Sequence, residues 1–429
     1  MSVQEQQKGR LNGYALYVVL MVAVLIALFS SAFILVTFYY KSVEDKVQLE
    51  RKLIANANSG IEYLLSTDDS ERNSFDQKNY LDLFDQGEDS VQLSNTPWGL
   101  YQYLSAKAVH GKQQFSVTHL AGAKTYNREL ALYLSNSNKE LGVTGNTRIK
   151  GNVLLPEKGV ARAYVEGKSF SGRQLIEGDK GTSGSVLPTI NDFQLSALKS
   201  YFSGAFPFDV KIKWEDFLEE KRNEQPMLIP KDSTVLLFSE EVIHLDPESA
   251  KKVNSKCIIQ SSKAIYLSSA NLVSNCILIA PYIELSGTVK KGVQLFAKDS
   301  IVIQDGAELL FPSVLAIHST EKNAQIKVGE NAKVFGSIIA LQDQFRLKNN
   351  SLVLIKEKSL VKGQIYAQGY LQLYNSKVHG QVFANKLILK TKSSVYENLL
   401  MDVEIAPQEL DSLYSGLLFK ENRGKAIIE

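Results

Sequence analysis

The chain has 429 residues, 44% of them hydrophobic and 22% charged, and its formal net charge is +2 at pH 7. A charge this close to zero, with basic residues spread along the chain, predicts no nucleic-acid partner, because phosphate binding needs clustered Lys and Arg side chains. The two cysteines are too few for a disulfide framework or a zinc site. The length allows two or three domains, or one long repetitive domain.

The first predicted element is the uncharged run from Tyr14 to Tyr40. As an α-helix it measures about 40 Å, at about 1.5 Å per residue, against a bilayer hydrocarbon core of about 30 Å. Signal-peptide cores are shorter, about 7–15 residues, so the run predicts a retained, single-pass anchor whose partner is the lipid bilayer. Positive charges flank both ends, with Lys8 and Arg10 before the run and Lys41 and Lys46 after it. They therefore do not predict an outward orientation of the C-terminal region.

Residues 8–13 read Lys-Gly-Arg-Leu-Asn-Gly and lead directly into the apolar run. This arrangement resembles the leader and helix start of type IV pilin-like proteins, in which a short basic leader is cut after a glycine. The resemblance implies that residues 1–13 are a cytoplasmic leader, processed between Gly13 and Tyr14. Val18 stands where most major pilins carry a glutamate, which the tip-type minor pseudopilins also lack.

Residues 51–66, RKLIANANSGIEYLLS, continue the helix and resemble the same part of minor pilins and of the minor pseudopilins of type II secretion. The anchor with its amphipathic extension is therefore predicted over residues 14–66. The resemblance implies partners among pilus or secretion-system assembly proteins, and a periplasmic or extracellular C-terminal region. The alternative is an ordinary single-pass anchor in which Gly13 has no role in processing.

Residues 67–96 are acidic and polar, which predicts a surface linker with one short helix near residues 80–84. From Pro97 onward, short alternations of apolar and polar side chains predict strands, and residues 97–184 are interpreted as a β-rich region that leads into the next domain. Residues 185–233 show helical spacing and predict a small helical insertion. The apolar side of its second helix holds Trp214, Phe217 and Leu218.

Residues 234–405 contain short apolar strands that recur at intervals of 17 to 27 residues. The strands are CIIQS, CILIA, VQLFA, SVLAI, SIIAL, QIYAQ and QVFAN, which start at residues 257, 276, 293, 313, 337, 364 and 381. One coil cannot bury its inward Ile, Leu and Val side chains, whereas coils above and below supply the missing contacts. The spacing therefore predicts a parallel β-helix, and the whole chain a mainly β fold with an N-terminal transmembrane α-helix. A β-sandwich or barrel is the alternative, but it needs two-residue hairpin turns, which are nearly absent here.

The sequences Gly-Gln-Ile-Tyr-Ala at residues 363–367 and Gly-Gln-Val-Phe-Ala at residues 380–384 repeat closely. Such short coils resemble those of bactofilin-type, polymer-forming β-helices, although the spacing here is less uniform. The resemblance implies a structural role without enzymatic machinery, and it leaves a cytoplasm-facing scaffold as one alternative function. The final segment, residues 406–429, is predicted to cap the solenoid. Its capping side chains are Leu410, Leu413, Leu417 and Leu418.

Cys257 and Cys276 occupy the same position in consecutive predicted coils, about 4.8 Å apart, which is the spacing of neighbouring strands. Either a disulfide or a stack of two buried thiols fits this placement. The five histidines are scattered, and Asp343 is isolated in the sequence. No catalytic, metal-binding or cofactor-binding residue is therefore predicted, and no cofactor is expected.

Two main classes of function remain open from the sequence. The first is a non-enzymatic, membrane-anchored envelope protein that displays the solenoid for assembly or surface interaction. The second is an envelope β-helix that binds or cleaves surface polysaccharide, with exposed tyrosines stacked on sugars. The candidate tyrosines are Tyr266, Tyr282, Tyr366, Tyr370 and Tyr374. We expect a flat outer surface of mixed polarity, which favours the first class.

Overall fold

The computed structural model describes residues 13–66, 80–81, 90–124, 128–222, 233–253, 256–268, 275–320, 323–343, 349–417, 419 and 425–427. The chain divides into two compact units. Residues 1–63, 77–93 and 105–117 compose the first unit, and residues 64–76, 94–104 and 118–429 compose the second.

The helices are α1 (Gly13–Ser66), α2 (Asp192–Ser203), α3 (Trp214–Arg222) and α4 (Pro247–Lys252), with a 3₁₀ turn at Pro407–Glu409. The first strands, β1 to β13, are Tyr80–Leu81, Ser90–Trp98, Tyr101–His110, Gln113–Lys124, Leu130–Leu134, Leu141–Thr144, Arg148–Ile149, Asn152–Leu155, Val160–Arg162, Tyr164–Val165, Lys168–Ser169, Lys180–Thr182 and Val210–Lys213. Strands β14 to β23 are Val235–Ser239, Ile243–Leu245, Cys257–Ser261, Ala264–Ser268, Cys276–Ser286, Thr288–Val289, Val293–Ile303, Glu308–Ser319, Gln325–Val328 and Lys333–Gln342. Strands β24 to β31 are Leu352–Ile355, Leu360–Leu373, Lys377–Lys390, Val395–Glu397, Leu399–Met401, Glu404–Ile405, Ser415–Gly416 and Lys425–Ile427.

In the first unit, the second half of α1 packs against strand residues. Its buried side chains recur at every fourth position, at Leu53, Ala57 and Ile61, and so share one face of the helix. At the buried Gly60, an added Cβ would lie 2.8 Å from Leu93 Cδ2 and 2.9 Å from Ala106 Cβ. Helix and strands therefore approach so closely at this position that only glycine fits without a shift of its neighbours.

A six-stranded sheet follows the order β1-β2-β3-β4-β30, with β31 also beside β4. Its first strands correct the interpretation of residues 67–96 as a linker. Residues 90–96 belong to β2, in which the alternate side chains of Val91 and Leu93 are buried. Tyr80–Leu81 pairs antiparallel with β2 and is therefore a strand where a helix was predicted. Residues 67–79 and 82–89 lie outside the described residues.

The predicted parallel β-helix is confirmed. From β13 onward successive coils pair in parallel, and one inward position of each coil stacks on the same position of the next. This inner column consists of Ile212, Leu237, Ile259, Leu278, Leu295, Leu315, Ile338, Ile365, Val382, Leu132 and Val153. Apart from the partly buried Ile212, each member is at most 1% exposed. Each aliphatic side chain thus loses its contact with water only through the coils beside it.

The far end of the solenoid is built from residues that precede it in the chain. β26 pairs with β5, β5 with β8, and β8 with β12, all in parallel. The β-rich region predicted at residues 97–184 therefore does not simply lead into the solenoid. Its strands from Leu130 onward extend the stack beyond β26 and cover the edge that this strand would otherwise expose.

The final segment differs from the cap predicted at residues 406–429. β30 and β31 both pair antiparallel with β4, so the chain returns to the six-stranded sheet. Of the four predicted capping leucines, Leu417 is buried, Leu410 is half-buried, Leu413 is 72% exposed and Leu418 lies outside the described residues. Residues 130–182 occupy the end of the stack that this segment was expected to cover.

The helical segments predicted in residues 185–233 lie at two places on the solenoid. α3 directly follows β13, and its Trp214 and Phe217 are buried in the solenoid core, so α3 covers the near end. Because β12 and β13 lie at opposite ends of the stack, the chain between them runs along the solenoid and contains α2. This helix begins after Asn191, whose Oδ1 accepts a hydrogen bond from Phe193 N (2.9 Å). It ends at Gly204 in the left-handed conformation.

Candidate functional site

The first half of α1 exposes an uncharged surface. Every side chain from Tyr14 to Tyr40 is exposed, and by length and composition this helix could cross a membrane. Two of its hydroxyl groups are satisfied within the helix. Ser31 Oγ donates to the carbonyl oxygen of Ala27 at 2.8 Å. Thr37 Oγ1 donates to the carbonyl oxygen of Phe33, also at 2.8 Å, so both hydroxyls are compatible with a lipid environment.

The sequence singled out two pairs of residues. Gly13 is the first residue of α1 and Tyr14 is 77% exposed, but residues 1–12 lie outside the described residues, so processing between these two positions stays a prediction. Cys257 and Cys276 lie on adjacent coils, both are buried in the solenoid core, and no disulfide joins them. Burial raises the pKa of the Cys257 thiol, and it raises the pKa of Cys276 to about 12.

One outward face of the solenoid is covered by other parts of the same unit. Its apolar side chains form a second core with α2, with residues 98–101 and 187–190, and with Leu417 and Phe419. The aromatic centre of this core is Phe296, whose ring centroid lies 4.9 Å from that of Tyr201 and 5.6 Å from that of Phe202. The solenoid is thus bound to α2 by ring packing.

Three buried glutamines on this covered face hold the segments that lie over it. Gln294 Oε1 accepts a hydrogen bond from the backbone N–H of Leu100 at 2.8 Å. Gln364 Oε1 accepts from the backbone N–H of Leu417 at 2.7 Å, and its Nε2 donates to Gln381 Oε1 at 2.9 Å. Gln381 Nε2 in turn donates to the first carbonyl of β5 at 3.1 Å. Each of these bonds satisfies a backbone or side-chain group that would otherwise be buried without a partner. Leaving such a group unpaired would destabilise the fold by about 1–3 kcal/mol.

The sequence analysis did not identify this role of the glutamines. A signal for it exists, because Gln364 and Gln381 are the second residues of the two repeated Gly-Gln motifs. They stack in register with each other on neighbouring coils, as do the preceding glycines. A polar residue repeated at the same position of consecutive coils indicates a side-chain ladder, here a ladder that faces covering chain.

The tyrosines proposed to stack on sugars do not form one exposed platform. Tyr366 is 2% exposed, and its hydroxyl donates to the carbonyl oxygen of Pro188 at 3.1 Å, so it packs beneath the covering segment. Tyr266 is 37% exposed, but the rings of His244 and Tyr282 lie beside it at 5.2 Å and 5.9 Å. Neighbouring rings therefore occupy both sides of Tyr266. The remaining two, Tyr370 and Tyr374, are half-buried.

Asp343 is isolated in the sequence, but the fold gives it two partners. Its Oδ1 lies 3.1 Å from His318 Nε2 and 3.7 Å from Lys199 Nζ. The hydrogen bond to His318 is the main cause that lowers the pKa of Asp343. Since His318 belongs to the solenoid and Lys199 to α2, this cluster depends on their packing. Among the described residues, no group of three or more His, Cys, Asp or Glu side chains could hold a metal ion.

No family model and no curated protein matches this chain. Among solved structures, it is similar to the competence-associated pilin ComZ from Thermus thermophilus. The two share 8% sequence identity over 82% of this chain and 86% of that chain, with a TM-score of 0.23. A likeness at this level assigns neither a family nor a function to the chain.

Proposed function

We propose that this protein is a non-enzymatic, membrane-anchored, pilin-like envelope protein that displays its solenoid outside the cytoplasm for assembly or surface interaction. The observation that carries the proposal is the division of α1. Its first half, from Tyr14 to Tyr40, exposes an uncharged and mainly apolar surface, while its second half buries one face against strands. A helix divided in this way suits an element that is a lipid anchor at one end and a domain component at the other.

The two ends of the solenoid favour a role as a display module over end-to-end polymerisation. α3 covers the near end with Trp214 and Phe217. The far end finishes in β12, an exposed strand of three residues, Lys180–Thr182. A covered end and a short edge strand that carries lysine both oppose strand-to-strand growth. The solenoid therefore works as a single chain, unlike the polymer-forming β-helices that its coils resemble.

The lipid bilayer is the proposed partner of the apolar surface of α1. The same surface, in the aqueous environment of an assembled pilus or secretion complex, would pack against equivalent helices of assembly proteins, since exposed apolar side chains must be covered. Surface polysaccharide is the proposed partner of the solenoid.

The side of the membrane on which the solenoid lies is tested with Lys392→Cys, an exposed position in the turn before β27. In intact spheroplasts, a membrane-impermeant maleimide should label this variant. The unsubstituted chain is the control and should stay unlabelled, because Cys257 and Cys276 are buried and the thiolate is the reactive form. Labelling of Lys392→Cys only after lysis would place the solenoid in the cytoplasm and support the scaffold alternative.

Processing of the leader is tested by N-terminal sequencing of the protein isolated from membranes. A pilin-type leader predicts that the mature chain begins at Tyr14. An intact Met1, or a chain that begins at Ser2, contradicts the pilin-like part of the proposal and leaves an ordinary anchor. Gly13→Leu should block the cut without loss of membrane binding, because the apolar run itself is unchanged.

A further inference from the structure

A groove follows one corner of the solenoid. Five consecutive coils share an aligned row of small or aliphatic residues, Ala297, Ile317, Ala340, Ala367 and Ala384. The residues that directly follow this row define the corner, and they are Lys298, His318, Leu341, Gln368 and Asn385. All but the buried Leu341 line a cleft. At about 4.8 Å per coil, the four steps along this corner measure about 19 Å.

The opposite wall of the groove is α2 with the extended segment before it. Two clefts, of about 460 Å³ and about 710 Å³, lie between this wall and the corner. The first contains Gln368 and Asn385 and reaches Asp343. The second contains His318 and Lys199, which both contact Asp343. Asp343 and its two partners therefore lie between the two clefts, which follow one another along the corner and are together called the corner groove. The outer surface is not flat at this corner.

The groove presents polar groups of both signs along its length. Lys298 and Asp299 are exposed at one end, and the half-buried amides of Gln368 and Asn385 lie at the other. The Gln368 amide is bonded within the protein at both its oxygen and its nitrogen, and Asn385 Nδ2 donates to the Gln368 carbonyl oxygen, which leaves Asn385 Oδ1 to accept from a ligand. Asp343, between them, keeps 54% of its side chain exposed in spite of its two partners. Ser196, Ser200 and Ser203 on α2 also line the groove. The hydroxyls of Ser200 and Ser203 donate to carbonyl oxygens within the helix and so face a ligand as acceptors. Two lysines and two aspartates balance each other, so the groove offers donors and acceptors with little net charge.

The mixed charges and amides of the groove can be compared with the needs of three kinds of extended ligand. A nucleic-acid strand needs a surplus of Lys and Arg to neutralise its phosphates, which the groove lacks. A peptide added as a strand needs a free sheet edge, whereas strands at this corner are paired with coils above and below. A sugar chain carries hydroxyls that both donate and accept, and these match amide, carboxylate and ammonium groups spaced along one line.

We infer that the corner groove binds a linear polysaccharide lengthwise. The inference names a ligand for the displayed solenoid, but binding in the groove does not depend on the side of the membrane on which the solenoid lies. A wrong orientation in spheroplasts would therefore overturn the proposed function and leave this inference standing, and the reverse also holds.

The test is calorimetric titration of the full-length protein in detergent micelles with cellotetraose, chitotetraose and tetragalacturonate. At least one tetrasaccharide should bind. Lys298→Ala at one end of the groove and Asn385→Ala at the other should each weaken that binding about tenfold, the effect of losing one hydrogen bond to a charged or desolvated group. Lys291→Ala and Gln372→Ala, which remove a lysine and a carboxamide side chain outside the groove, should leave binding unchanged.

Three results would overturn the inference. The first is that none of the tetrasaccharides binds. The second is that binding survives both Lys298→Ala and Asn385→Ala, which would place the ligand elsewhere on the protein. The third is that a single-stranded oligonucleotide or an unstructured peptide binds with sensitivity to these variants while the sugars do not. Thermal unfolding of each variant, unchanged from the parent chain, ensures that a loss of binding is not a loss of fold.

Discussion

Gly363→Ala is expected to lower the free energy of unfolding of the solenoid unit by at least about 3 kcal/mol, through backbone strain and steric overlap together. Gly363 stacks in register between Gly336 and Gly380, and all three have φ near +150°. A Cβ at position 363 would overlap the carbonyl oxygen of Gly336 in the neighbouring coil. Because that oxygen belongs to the backbone of a paired strand, it cannot move aside without loss of ladder hydrogen bonds.

The matched control is Gly306→Ala. Gly306 also has a positive φ, +71°, but nothing lies within 4 Å of the Cβ position. Its substitution should cost only the left-handed backbone penalty, about 1–2 kcal/mol. Both variants are compared by denaturant unfolding of the full-length protein in detergent. Equal effects of the two substitutions would show that the close stacking of the glycine column does not exist.

Phe296→Ala is expected to cost about 3–5 kcal/mol and to loosen α2 from the solenoid. Phe296 is fully buried, and its ring packs on Tyr201 and Phe202, the two aromatic residues of α2 that face the coils. Removal of the ring leaves a cavity under the helix and takes away its main apolar contact. Limited proteolysis should therefore cut residues 187–206 faster in the variant, in addition to the lower unfolding midpoint.

Phe208→Ala is the control for this second substitution. Phe208 follows α2 in the chain, is 41% exposed, and has its ring centroid 6.3 Å from that of Phe206. Its loss should change stability by less than about 1 kcal/mol and leave the proteolysis rate of α2 unchanged. If Phe296→Ala behaves like Phe208→Ala, α2 is held by other contacts, and the wall of the corner groove does not depend on this core.

The sequence predicted the coils of the solenoid because the buried positions of each strand are apolar, and this pattern is visible within a few residues. CIIQS coincides with β16, and CILIA opens β18. The inward residues of these strands are aliphatic whichever coil lies beside them, so their pattern is local. The long apolar helix at the N-terminal end was predictable for the same reason, since a continuous uncharged stretch of this length favours a helix that could cross a membrane.

The sequence did not predict which strand pairs with the edge of β26. Leu132 stacks on Val382 although 250 positions separate them in the chain (382 − 132), and any strand with an aliphatic inward residue would fit the same edge. The partners of Asp343 and of the three glutamines were missed for a related reason. Their contacts join the solenoid to segments that are distant in the sequence and lie across its surface. The spacing of residues along the chain does not predict such contacts.

The length of the apolar run and the inward rows of the coils are therefore properties of the sequence by itself, because each depends on side chains a few residues apart. The order of the coils at the far end, the cover over one face and the groove at the corner were decided only by the tertiary structure. Each of these features arises where α2, β5 or the final strands pack against coils that are distant in the sequence. Such long-range contacts are determined only by the packing of the whole unit.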